Sequence, residues 1–571
     1  MTDVLIVGAG PTGLTMACEL MRRGIHCRLI DKSDIPSQTS KAIGIHSRTL
    51  EVFDDLGIVE QVLAQGIRVT SINAYEGDNK LLRLSFQNLE VPYPFALSLP
   101  QSETEHLLLA RLHSLGGEVE RSKELVNLHQ DGDRIIALVH HDSADTDATE
   151  EISTNWLIGC DGARSKVRKA LNIDFEGSTY EEDFMLADVD IDWNVKHDEM
   201  HIWLHEDGAF AAVPLPKQHQ WRLIANFADQ AVEEMPEATV ELFQQLMRKR
   251  KGDTTTTIGN PLWLSNFKIH RRLVSQYRKG HVFLVGDAAH IHSPVGGQGM
   301  NTGIQDAYNL AWKIALVVNN ESPTSLLDTY ETERRPIAKS VLTTTHAPTK
   351  LLVTQNPALR FVRNHLLLQL LNLEFIQPFI LKGIAELDLH YRNSSLSQEH
   401  SGSIFETKLL HDEESETPSL KDRFDFQYAP RAGDRAPQGS CLRYLSQEKT
   451  NLFREFFGTR FTLLLFDGLS QTVAGYTHLV NIASRVESLL GNKVRTHIIV
   501  AGSDKPTTLN WNGSILLDVE YELHKTYGAG AESLYFIRPD GYIGFRSQPI
   551  QEEKLHQYLS NLFLLRRNCQ N

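Results

Sequence analysis

The feature that most constrains the fold lies at the start of the chain, in residues 4–31. Val4 to Val7 is a short apolar run of the kind that forms a buried strand, the stretch GAGPTG follows it, and residues 15–21 have helical spacing. The segment GIHCRLIDK then predicts a second strand that ends in an acid, Asp31. A strand, a tight turn, a helix and a second strand form a β-α-β unit, which predicts an α/β fold with a parallel sheet.

The three glycines of this turn have different expected tasks. Gly8 permits the tight turn, Gly10 lets the backbone approach a pyrophosphate, and Gly13 lets the helix pack close to the strand. Free N–H groups and the helix dipole then face the anion, while Asp31 is placed to accept hydrogen bonds from a ribose diol. The unit predicts a dinucleotide site without deciding between NAD and FAD, because both contain the ADP half. An ordinary glycine-rich turn remains the alternative.

Length and composition limit the class of protein. With 571 residues, 41% hydrophobic and 23% charged, the chain can bury several cores and is expected to contain three or four domains. A net charge of −15 argues against broad nucleic-acid binding, which needs clustered cations. The five cysteines are scattered, with no C-x-x-C and no metal-type spacing, so we expect no metal site and a reducing, cytoplasmic location.

Two apolar segments could suggest a membrane but favour other structures. The first strand follows Met-Thr-Asp without a cationic leader, so a signal peptide is not expected. Residues 362–386 are the most apolar stretch, but polar residues interrupt any span of about 20 residues. These residues are Arg363, His365, Glu374, Pro378 and Lys382. A buried or interface helix pair is therefore the prediction for this stretch.

Two more acid-tipped turns follow the pattern of the first. In WLIGCDGARSKVRKAL, residues 156–171, an apolar strand ends at Asp161-Gly162, and Ser165 is placed to cap a helix; a merely structural cap is the alternative here. In HVFLVGD a strand ends at Gly286-Asp287, and the amphipathic run after it predicts a helix that begins near Gly299. Three such turns suit a long cofactor that lies across strand ends.

Together these motifs resemble the group A, single-component FAD-dependent aromatic monooxygenases of para-hydroxybenzoate hydroxylase-like fold. The resemblance is carried by GAGPTGL with Asp31, by GCDGARSKVR and by GDAAHIHSPVGGQGMNTGIQDAYNLAWK, and it continues through LLDTYETERRPIA at 326–338. It covers about residues 1–345. RAGDRAPQ at 431–438 and YFIRPDGYIGFR at 535–546 look like the ends of the thioredoxin-like appendage of the phenol, polyketide and rifampicin hydroxylase branch.

The resemblance implies an α/β fold, with a Rossmann-like FAD-binding domain, an antiparallel-sheet substrate domain, a helical segment and a C-terminal thioredoxin-like domain. The expected boundaries are 1–175 and 265–345 for the FAD-binding domain, 176–264 for the substrate domain with 69–99 added to its sheet, 346–410 for the helical segment and 428–571 for the thioredoxin-like domain. That last domain lacks C-x-x-C, so we expect a scaffold or interface role. The charged segment HDEESETPSLKDRFD, at 411–425, is expected to be a linker.

The resemblance also implies a set of cofactor-binding residues. Asp31 would hold the adenosine ribose, Asp287 the ribityl chain and pyrophosphate side, and Asp161 would lie between FAD and the reduced nicotinamide, with Arg168 supporting its loop. Lys41 stands where many relatives have arginine, which puts one contact in doubt. The full set is Gly8, Gly10, Pro11, Thr12, Gly13, Asp31, Lys32, Lys41, Arg48, Gln101, Asp161, Gly162, Gly286, Asp287, Pro294, Gly297, Gln298, Gly299, Met300 and Asn301.

The glycine-rich loop that precedes the helix expected to begin near Gly299 would have a specific role in such a protein. Reduced flavin carries negative charge near N1 and C2=O, and backbone N–H groups at a helix N-terminus, over residues 297–300, would stabilise that anion. Pro294 would form a wall beside N5 and C4a. His290 and His292 are not assigned to catalysis, because histidines that pack against a cofactor are commoner than catalytic ones, and no catalytic residue can be named.

The implied reaction is a monooxygenation. NADPH or NADH would reduce FAD, O₂ would add at C4a, and the hydroperoxide would deliver one oxygen atom to an aromatic or phenolic substrate. The strands expected at 69–86 and 200–227 would cover the flavin, with Trp203, Phe210 and Val213 near a pocket, although most residues there are expected to be sheet core.

Other functions remain open at this point. A flavin halogenase or a flavin reductase of the same fold would share the FAD motifs. So would a non-catalytic flavin protein that sequesters an aromatic ligand, and only a measurement of turnover distinguishes that protein from an enzyme. The expected partners are an aromatic small molecule and O₂, without nucleic acid or integral membrane association, and a homodimer is left open.

Overall fold

The computed structural model describes residues 2–37, 40, 42–143, 146–227, 236–292, 296–344, 356–401, 418–469 and 476–565. The chain divides into two compact units, Met1–Ala311 with Arg334–Leu387, and Trp312–Glu333 with Asp388–Asn571. The α-helices of the first unit are α1 Pro11–Met21, α2 Ser47–Leu56, α3 Val59–Gln65, α4 Gln101–Ser114, α5 Lys166–Ala170, α6 Val240–Lys251, α7 Gln298–Val318, α8 Asp328–Thr344, α9 Pro357–Val362, α10 Leu368–Leu371 and α11 Gln377–Ile384. Helix α7 ends in the second unit, and α8 begins in it.

The first sheet has the parallel core that the opening motif predicts. Its strands are β1 Thr2–Val7, β2 Cys27–Ile30, β8 Val119–Glu120, β9 Lys123–Asp131, β10 Arg134–Ser143, β11 Thr146–Gly159, β17 Arg278–Lys279 and β18 Val282–Leu284. The main order is β17-β18-β11-β1-β2-β8, and β1 runs parallel to both β2 and β11. The parallel core extends from β18 through β11, β1 and β2 to β8, and β9, β10 and β17 add antiparallel pairings to it. Val4, Leu5 and Ile6 are fully buried, which explains why this segment is a continuous apolar run.

The second sheet is mostly antiparallel. Its strands are β5 Ser71–Glu76, β6 Asn79–Ser85, β12 Phe175–Ile191, β13 Glu199–His205, β14 Gly208–Pro214, β15 Gln220–Asn226, β16 Ile258–Val274 and β19 His290–Ile291, in the order β19-β16-β12-β15-β14-β13-β5-β6. The early hairpin β5-β6 joins this sheet through a parallel pairing of β5 with β13. A separate small sheet contains β3 Gly44–Ile45, β7 Ala96–Ser98 and β4 Ile67–Val69.

Each face of the second sheet is covered in part by helices. Phe243 and Met247 of α6 pack with Trp203 and Phe210 in one buried cluster. A different cluster places Leu368, Leu381 and neighbouring side chains of α10 and α11 against β5, β6 and β13. The helical segment that the sequence predicts is therefore present over residues 357–384, while Leu351 and Leu352 lie outside the described residues.

The second unit contains an eight-stranded sheet and the remaining helices. The strands are β20 Gln398–Ser401, β21 Ser440–Arg443, β22 Lys449–Asn451, β23 Phe461–Phe466, β24 Val494–Ala501, β25 Ser514–Asp518, β26 Ser533–Ile537 and β27 Ile543–Gln548, in the order β20-β27-β26-β23-β24-β25-β21-β22. The helices are α12 Leu420–Tyr428, α13 Thr477–Leu490, α14 Glu522–Thr526 and α15 Glu552–Leu562. Strands β23, β24 and β25 run parallel, and β26 and β27 form an antiparallel hairpin.

The prediction of a linker at 411–425 was wrong for the second half of this segment, because α12 begins at Leu420. Ser419 and Asp422 form a reciprocal capping box, and Phe426 is buried in the core of the second unit. Residues 411–417 lie outside the described part of the chain. Across the described segments, we find no helix with the length and apolar content that a membrane span requires.

Candidate functional site

The first turn combines two tightly packed glycines with one open glycine. Gly8 has φ +103°, and a Cβ there would lie 2.4 Å from the carbonyl oxygen of Cys160. A Cβ at Gly13 would lie 1.9 Å from the carbonyl oxygen of Gly8. A Cβ at Gly10, in contrast, would meet nothing within 4 Å. Packing therefore requires Gly8 and Gly13, and the backbone at Gly10 faces open space at the N-terminus of α1.

Asp31 lies beside this turn, at the end of β2. Its Oδ2 accepts a hydrogen bond from the N–H of Ala9 at 2.6 Å, and its Oδ1 accepts one from the N–H of Ser33 at 2.8 Å. Arg121 Nη1 lies 3.7 Å from Asp31 Oδ1. The carboxylate is thereby fixed next to the glycine turn, and Arg121 is a neighbour that the motif does not reveal. Lys32 is exposed at the next position.

The second turn is held by Asp161 itself. Asp161 Oδ2 accepts hydrogen bonds from the N–H groups of Lys166 and Val167, at 2.6 and 3.1 Å, and Ser165 Oγ accepts one from the N–H of Arg168. Burial raises the pKa of Asp161, against the effect of these donors. Gly162 has φ +75°, and a Cβ there would meet nothing within 4 Å. The segment thus contains a turn that carries Asp161 and is open at Gly162, followed by a helix that Ser165 caps.

The third turn packs against the first. A Cβ at Gly286 would lie 2.8 Å from Thr12 Oγ1, and a Cβ at Gly303 of α7 would lie 2.6 Å from the same atom. Gly286 and Ala288 are buried, but Asp287 between them is exposed. The close packing of these glycines brings α1, α7 and the third turn together and presents the Asp287 carboxyl outward.

Arg168 joins the second turn to the third. Its Nη1 donates to the carbonyl oxygen of Ala288 and its Nη2 donates to that of Ala163, both at 2.9 Å. The guanidinium lies 3.9 Å from the ring centroid of Phe175. Because β18, β11 and β1 are neighbours in the first sheet, the three turns lie at the same edge, where their parallel strands end.

The N-terminus of α7 is fixed by two side chains from distant parts of the sequence. Asn301 Nδ2 donates to the carbonyl oxygens of Gly44 and Gly297, at 2.9 and 2.7 Å, and Asn301 Oδ1 accepts from the N–H of His46 at 2.9 Å. His46 Nε2 donates to the carbonyl oxygen of Gly296 at 2.8 Å. Burial lowers the pKa of His46 to about 4, so the ring is neutral near pH 7.

The helix itself begins at Gln298, one residue before the predicted start. Gly297 has φ +65°, and a Cβ at Gly299 would meet nothing within 4 Å. Met300 lies partly exposed in the same first turn. The first turn of α7 therefore has backbone that faces open space, which is the geometry that an anion at a helix N-terminus requires.

A buried ion-pair network lies beneath this turn. Asp306 Oδ2 accepts from His290 Nε2, and Asp306 Oδ1 accepts from Arg334 Nε, both at 2.6 Å. Burial favours the neutral acid, but Arg334 and His290 together hold the pKa of Asp306 below its ordinary value. The N–H of Gly286 also donates to Asp306 Oδ2, at 3.2 Å. His290 thus has a structural partner that connects α7 to the third turn.

His292 is buried beside His290, with ring centroids 4.7 Å apart. Neither ring nitrogen of His292 has a hydrogen-bond partner among the residues that the structure describes. Burial lowers the pKa of His292 well below its ordinary value, so the ring is neutral. Pro294, two positions on, and Lys41 fall outside the described residues, so their assigned contacts stay predictions.

Gln101 and Arg48 each have a neighbour that the motifs do not reveal. Gln101 Nε2 donates to Glu105 Oε1 at 2.8 Å, and burial raises the pKa of Glu105. Arg48 is buried in the first turn of α2, where its Nη1 donates to Glu51 Oε2 at 2.9 Å. Both side chains are thus anchored within the first unit.

The second sheet corrects one expectation about the pocket. Trp203 and Phe210 do not line an open cavity, because both are buried in the cluster that packs on α6. Val213 alternates with the clustered Ala212 and therefore lies on the opposite face. On that face Arg222 makes a two-point ion pair with Asp188, at 2.7 and 2.8 Å, and donates to the carbonyl oxygen of Ser40 at 2.7 Å. This face, rather than the α6 face, contacts Ser40.

The comparisons with known proteins agree with this architecture. A family model described as FAD binding domain matches residues 1–345. The chain belongs to this FAD-binding family. Its relative 6-methylpretetramide 4-monooxygenase from Streptomyces rimosus is 31% identical over 579 residues, which cover 99% of this chain and 94% of the relative. Pentachlorophenol 4-monooxygenase from Sphingobium chlorophenolicum is 40% identical over 349 residues, which cover 60% of this chain and 64% of that protein.

A solved structure extends the likeness over the whole fold. OxyS anhydrotetracycline hydroxylase from Streptomyces rimosus has a TM-score of 0.71 and 28% identity, and the match covers 98% of this chain and 99% of that one. The protein is therefore an FAD-dependent monooxygenase, an oxidoreductase of mixed α/β fold. The resemblance that its three turns carry is confirmed.

Proposed function

We propose that this FAD-dependent monooxygenase uses NADPH or NADH to insert one oxygen atom of O₂ into an aromatic or phenolic substrate. The observation that supports it most is the meeting of three acid-bearing turns at neighbouring strand ends, joined by Arg168, beside the open first turn of α7. Bound FAD supplies the redox chemistry and the activation of oxygen. The protein supplies binding, orientation and exclusion of water.

The residues present fit FAD. Gly10, Gly162 and Gly299 each lack any atom within 4 Å of an added Cβ, so backbone is exposed where a dinucleotide would lie. Asp31 binds the adenosine ribose and Asp287 binds the ribityl and pyrophosphate side. The remaining proposed contacts come from Gly8, Pro11, Thr12, Gly13, Lys32, Lys41, Arg48, Gln101, Asp161, Gly286, Pro294, Gly297, Gln298, Met300 and Asn301.

The proposed division of labour follows the sequence boundaries. Residues 1–175 and 265–345 bind FAD, residues 176–264 with 69–99 cover the substrate, and 428–571 form a thioredoxin-like domain. Of the segment expected to be helical at 346–410, residues 357–384 contain α9 to α11, whereas Gln398–Ser401 form β20 of the second unit. The parallel order β23-β24-β25 with the β26-β27 hairpin supports the assignment of 428–571. Cys441 is buried, and burial raises the pKa of its thiol to about 12, which favours a scaffold role over dithiol exchange. We place the protein in the cytoplasm as a homodimer.

Turnover with a panel of aromatic compounds tests this function. The purified protein is expected to be yellow, and phenols, polyketide quinols or aromatic antibiotics are expected to stimulate NADPH oxidation and oxygen use. A product heavier by one oxygen atom would establish hydroxylation. Tight binding of an aromatic without stimulated oxygen use would instead support a sequestering protein. A halogenated product would support a flavin halogenase, and a reduced product would support a flavin reductase.

A further inference from the structure

His46 lies at the N-terminus of α2 but does not cap this helix. The residue occupies the N-cap position, and its side chain makes no capping hydrogen bond. Short polar side chains such as Ser, Asp and Asn are preferred at an N-cap, because they accept hydrogen bonds from the free N–H groups of the first turn. The imidazole of His46 instead contacts the loop before α7, so α2 does not explain why this residue is a histidine.

The loop that the imidazole contacts needs anchors from outside. Gly296 and Gly297 have φ +93° and +65°, values that few residues other than glycine adopt, and glycine loses more conformational freedom on folding than any other residue. His46 Nε2 donates to the carbonyl oxygen of Gly296 at 2.8 Å. Asn301 Nδ2 donates to the carbonyl oxygen of Gly297 at 2.7 Å. Two side chains thus fix two successive peptides of the loop.

These two hydrogen bonds determine where the N–H groups of the loop point. In a trans peptide, the carbonyl oxygen of one residue and the N–H of the next point in opposite directions. Because His46 holds the carbonyl oxygen of Gly296, the N–H of Gly297 points away from the imidazole. Because Asn301 holds the carbonyl oxygen of Gly297, the N–H of Gln298 points away from the amide. Each N–H donor is therefore oriented by the side chain that anchors its peptide.

The imidazole of His46 acts on this loop without a charge. Burial lowers the pKa of His46 to about 4, so the ring is neutral near pH 7. Nε2 carries the ring proton because it faces a carbonyl oxygen, and Nδ1 has no hydrogen-bond partner among the residues that the structure describes. The side chain is 4% exposed, and a buried polar atom without a partner costs free energy. The ring therefore contributes through the direction of its one donor.

His46 is itself held in place by its neighbours along the chain. Strand β3, Gly44–Ile45, precedes it and pairs with β7, and α2 begins directly after it. The N–H of His46 also donates to Asn301 Oδ1 at 2.9 Å. Groups on helices and strands hold a geometry more precisely than groups on loops, so the ring can set the orientation of the peptide that follows Gly296.

We propose that His46 is a positioning residue that raises the reduction potential of the bound flavin. By holding the carbonyl oxygen of Gly296, it keeps the N–H groups of Gly297 and Gln298 directed at the N1 and C2=O side of the ring, where reduction places negative charge. Aligned donors stabilise reduced flavin more than oxidised flavin. The inference rests on the flavin contacts of residues 297–299 in the proposed function, and it does not depend on the hydroxylation.

Two replacements of His46 separate its contact with the loop from its place in α2. His46→Asn supplies a preferred N-cap for α2, but the short amide does not reach the carbonyl oxygen of Gly296. The ratio of reduced-FAD to oxidised-FAD affinity is expected to fall about tenfold in this variant, which lowers the two-electron potential by about 30 mV. His46→Gln retains an N–H donor of longer reach, so its ratio is expected to stay within about threefold of wild type.

Equilibration of the flavin-loaded, full-length protein with a reference dye during slow enzymatic reduction measures the potential, and no aromatic substrate is needed. Titration of the apoprotein with oxidised FAD gives the affinity of the oxidised form. Ser47→Ala removes a buried hydrogen bond to the carbonyl oxygen of Phe95, one position away from His46, and serves as the control. This control is expected to retain the wild-type potential.

A purely structural role of His46 predicts a different result. Equal weakening of oxidised and reduced FAD in His46→Asn, which leaves the potential unchanged, would overturn the proposal. Loss of flavin from either variant, or a potential in His46→Gln as low as in His46→Asn, would also overturn it. If the potential shifts as expected but no aromatic compound stimulates oxygen use, the hydroxylation fails and this inference stands. Normal turnover with an unchanged potential in His46→Asn would refute this inference alone.

Discussion

Arg168 Nη1 donates a hydrogen bond to the carbonyl oxygen of Ala288 at a distance of 2.9 Å. The two residues are 120 positions apart, and they belong to two turns that follow different strands. Because Nη2 of the same guanidinium donates to Ala163, one side chain sets the distance between the Asp161 turn and the Asp287 turn. FAD has to contact both turns in the proposed complex, so Arg168 acts by positioning them.

Replacing Arg168 is therefore expected to weaken FAD binding. Arg168→Met removes two hydrogen bonds from a charged donor, each of about 1.5 kcal/mol or more, so the dissociation constant for FAD is expected to rise by about 10- to 100-fold. Titration of apoprotein with FAD, followed by fluorescence, measures it. Lys166→Met changes an exposed side chain two positions away and serves as the control. Equal FAD affinity in Arg168→Met and wild type would show that Arg168 does not position the two turns for FAD.

Sequence patterns predicted the three turns well, because each turn depends on residues close together in the chain. Gly13 packs against Gly8 and Ser165 caps Arg168, each within a few positions, and these local constraints produce recognisable motifs. The contact of His46 with Asn301 could not be found in this way, because 255 positions separate the two residues. Arg121, which follows β8 and lies 3.7 Å from Asp31, belongs to no motif.

The second sheet shows a different limit. Alternation of apolar and polar residues predicted the strands around Trp203 and Phe210, but alternation alone does not tell which face meets α6 and which meets Ser40. The charged segment before α12 was misjudged for a related reason. Its composition is typical of a linker, whereas the capping box of Ser419 and Asp422 and the burial of Phe426 establish a helix.

Asp287 and Asp306 offer a matched pair of changes. Asp287 is exposed on the third turn, so Asp287→Ala is expected to leave apoprotein stability within about 0.5 kcal/mol of wild type. The same variant is expected to bind little FAD, as absorbance at the flavin band would show. A fully flavinated Asp287→Ala protein with normal turnover would contradict the proposed role of this turn.

Asp306→Ala is expected to have the opposite effect. The change removes the carboxylate that Arg334 and His290 share in a fully buried site, and loss of one partner of a buried ion pair costs about 3–5 kcal/mol. Urea denaturation of the apoprotein measures this loss without any contribution from the cofactor. A stability equal to that of Asp287→Ala would show that the network contributes little.

Glu386 predicts a dependence of stability on pH. It is fully buried, where its carboxyl accepts from Gln305 Nε2 and lies near Thr302 Oγ1 of α7. Burial raises the pKa of Glu386 from 4.5 to about 8, although Arg334 opposes the shift. Between these two values the folded protein keeps a proton that the unfolded chain has lost. The contribution of Glu386 to stability is therefore full at acid pH and falls as pH rises toward about 8.

Glu386→Gln should remove this dependence, because the amide has nearly the same shape and does not ionise. Near pH 5, the melting temperature of the variant is expected to be equal to or lower than that of wild type. At pH 8, it is expected to be higher than that of wild type by roughly a few degrees. Differential scanning calorimetry across this range measures the difference, with Glu103→Gln, an exposed change on α4, as the control. A difference between Glu386→Gln and wild type that is the same at pH 5 and pH 8 would mean that the carboxyl does not titrate there, and Glu386 would then act on α7 through its hydrogen bonds alone.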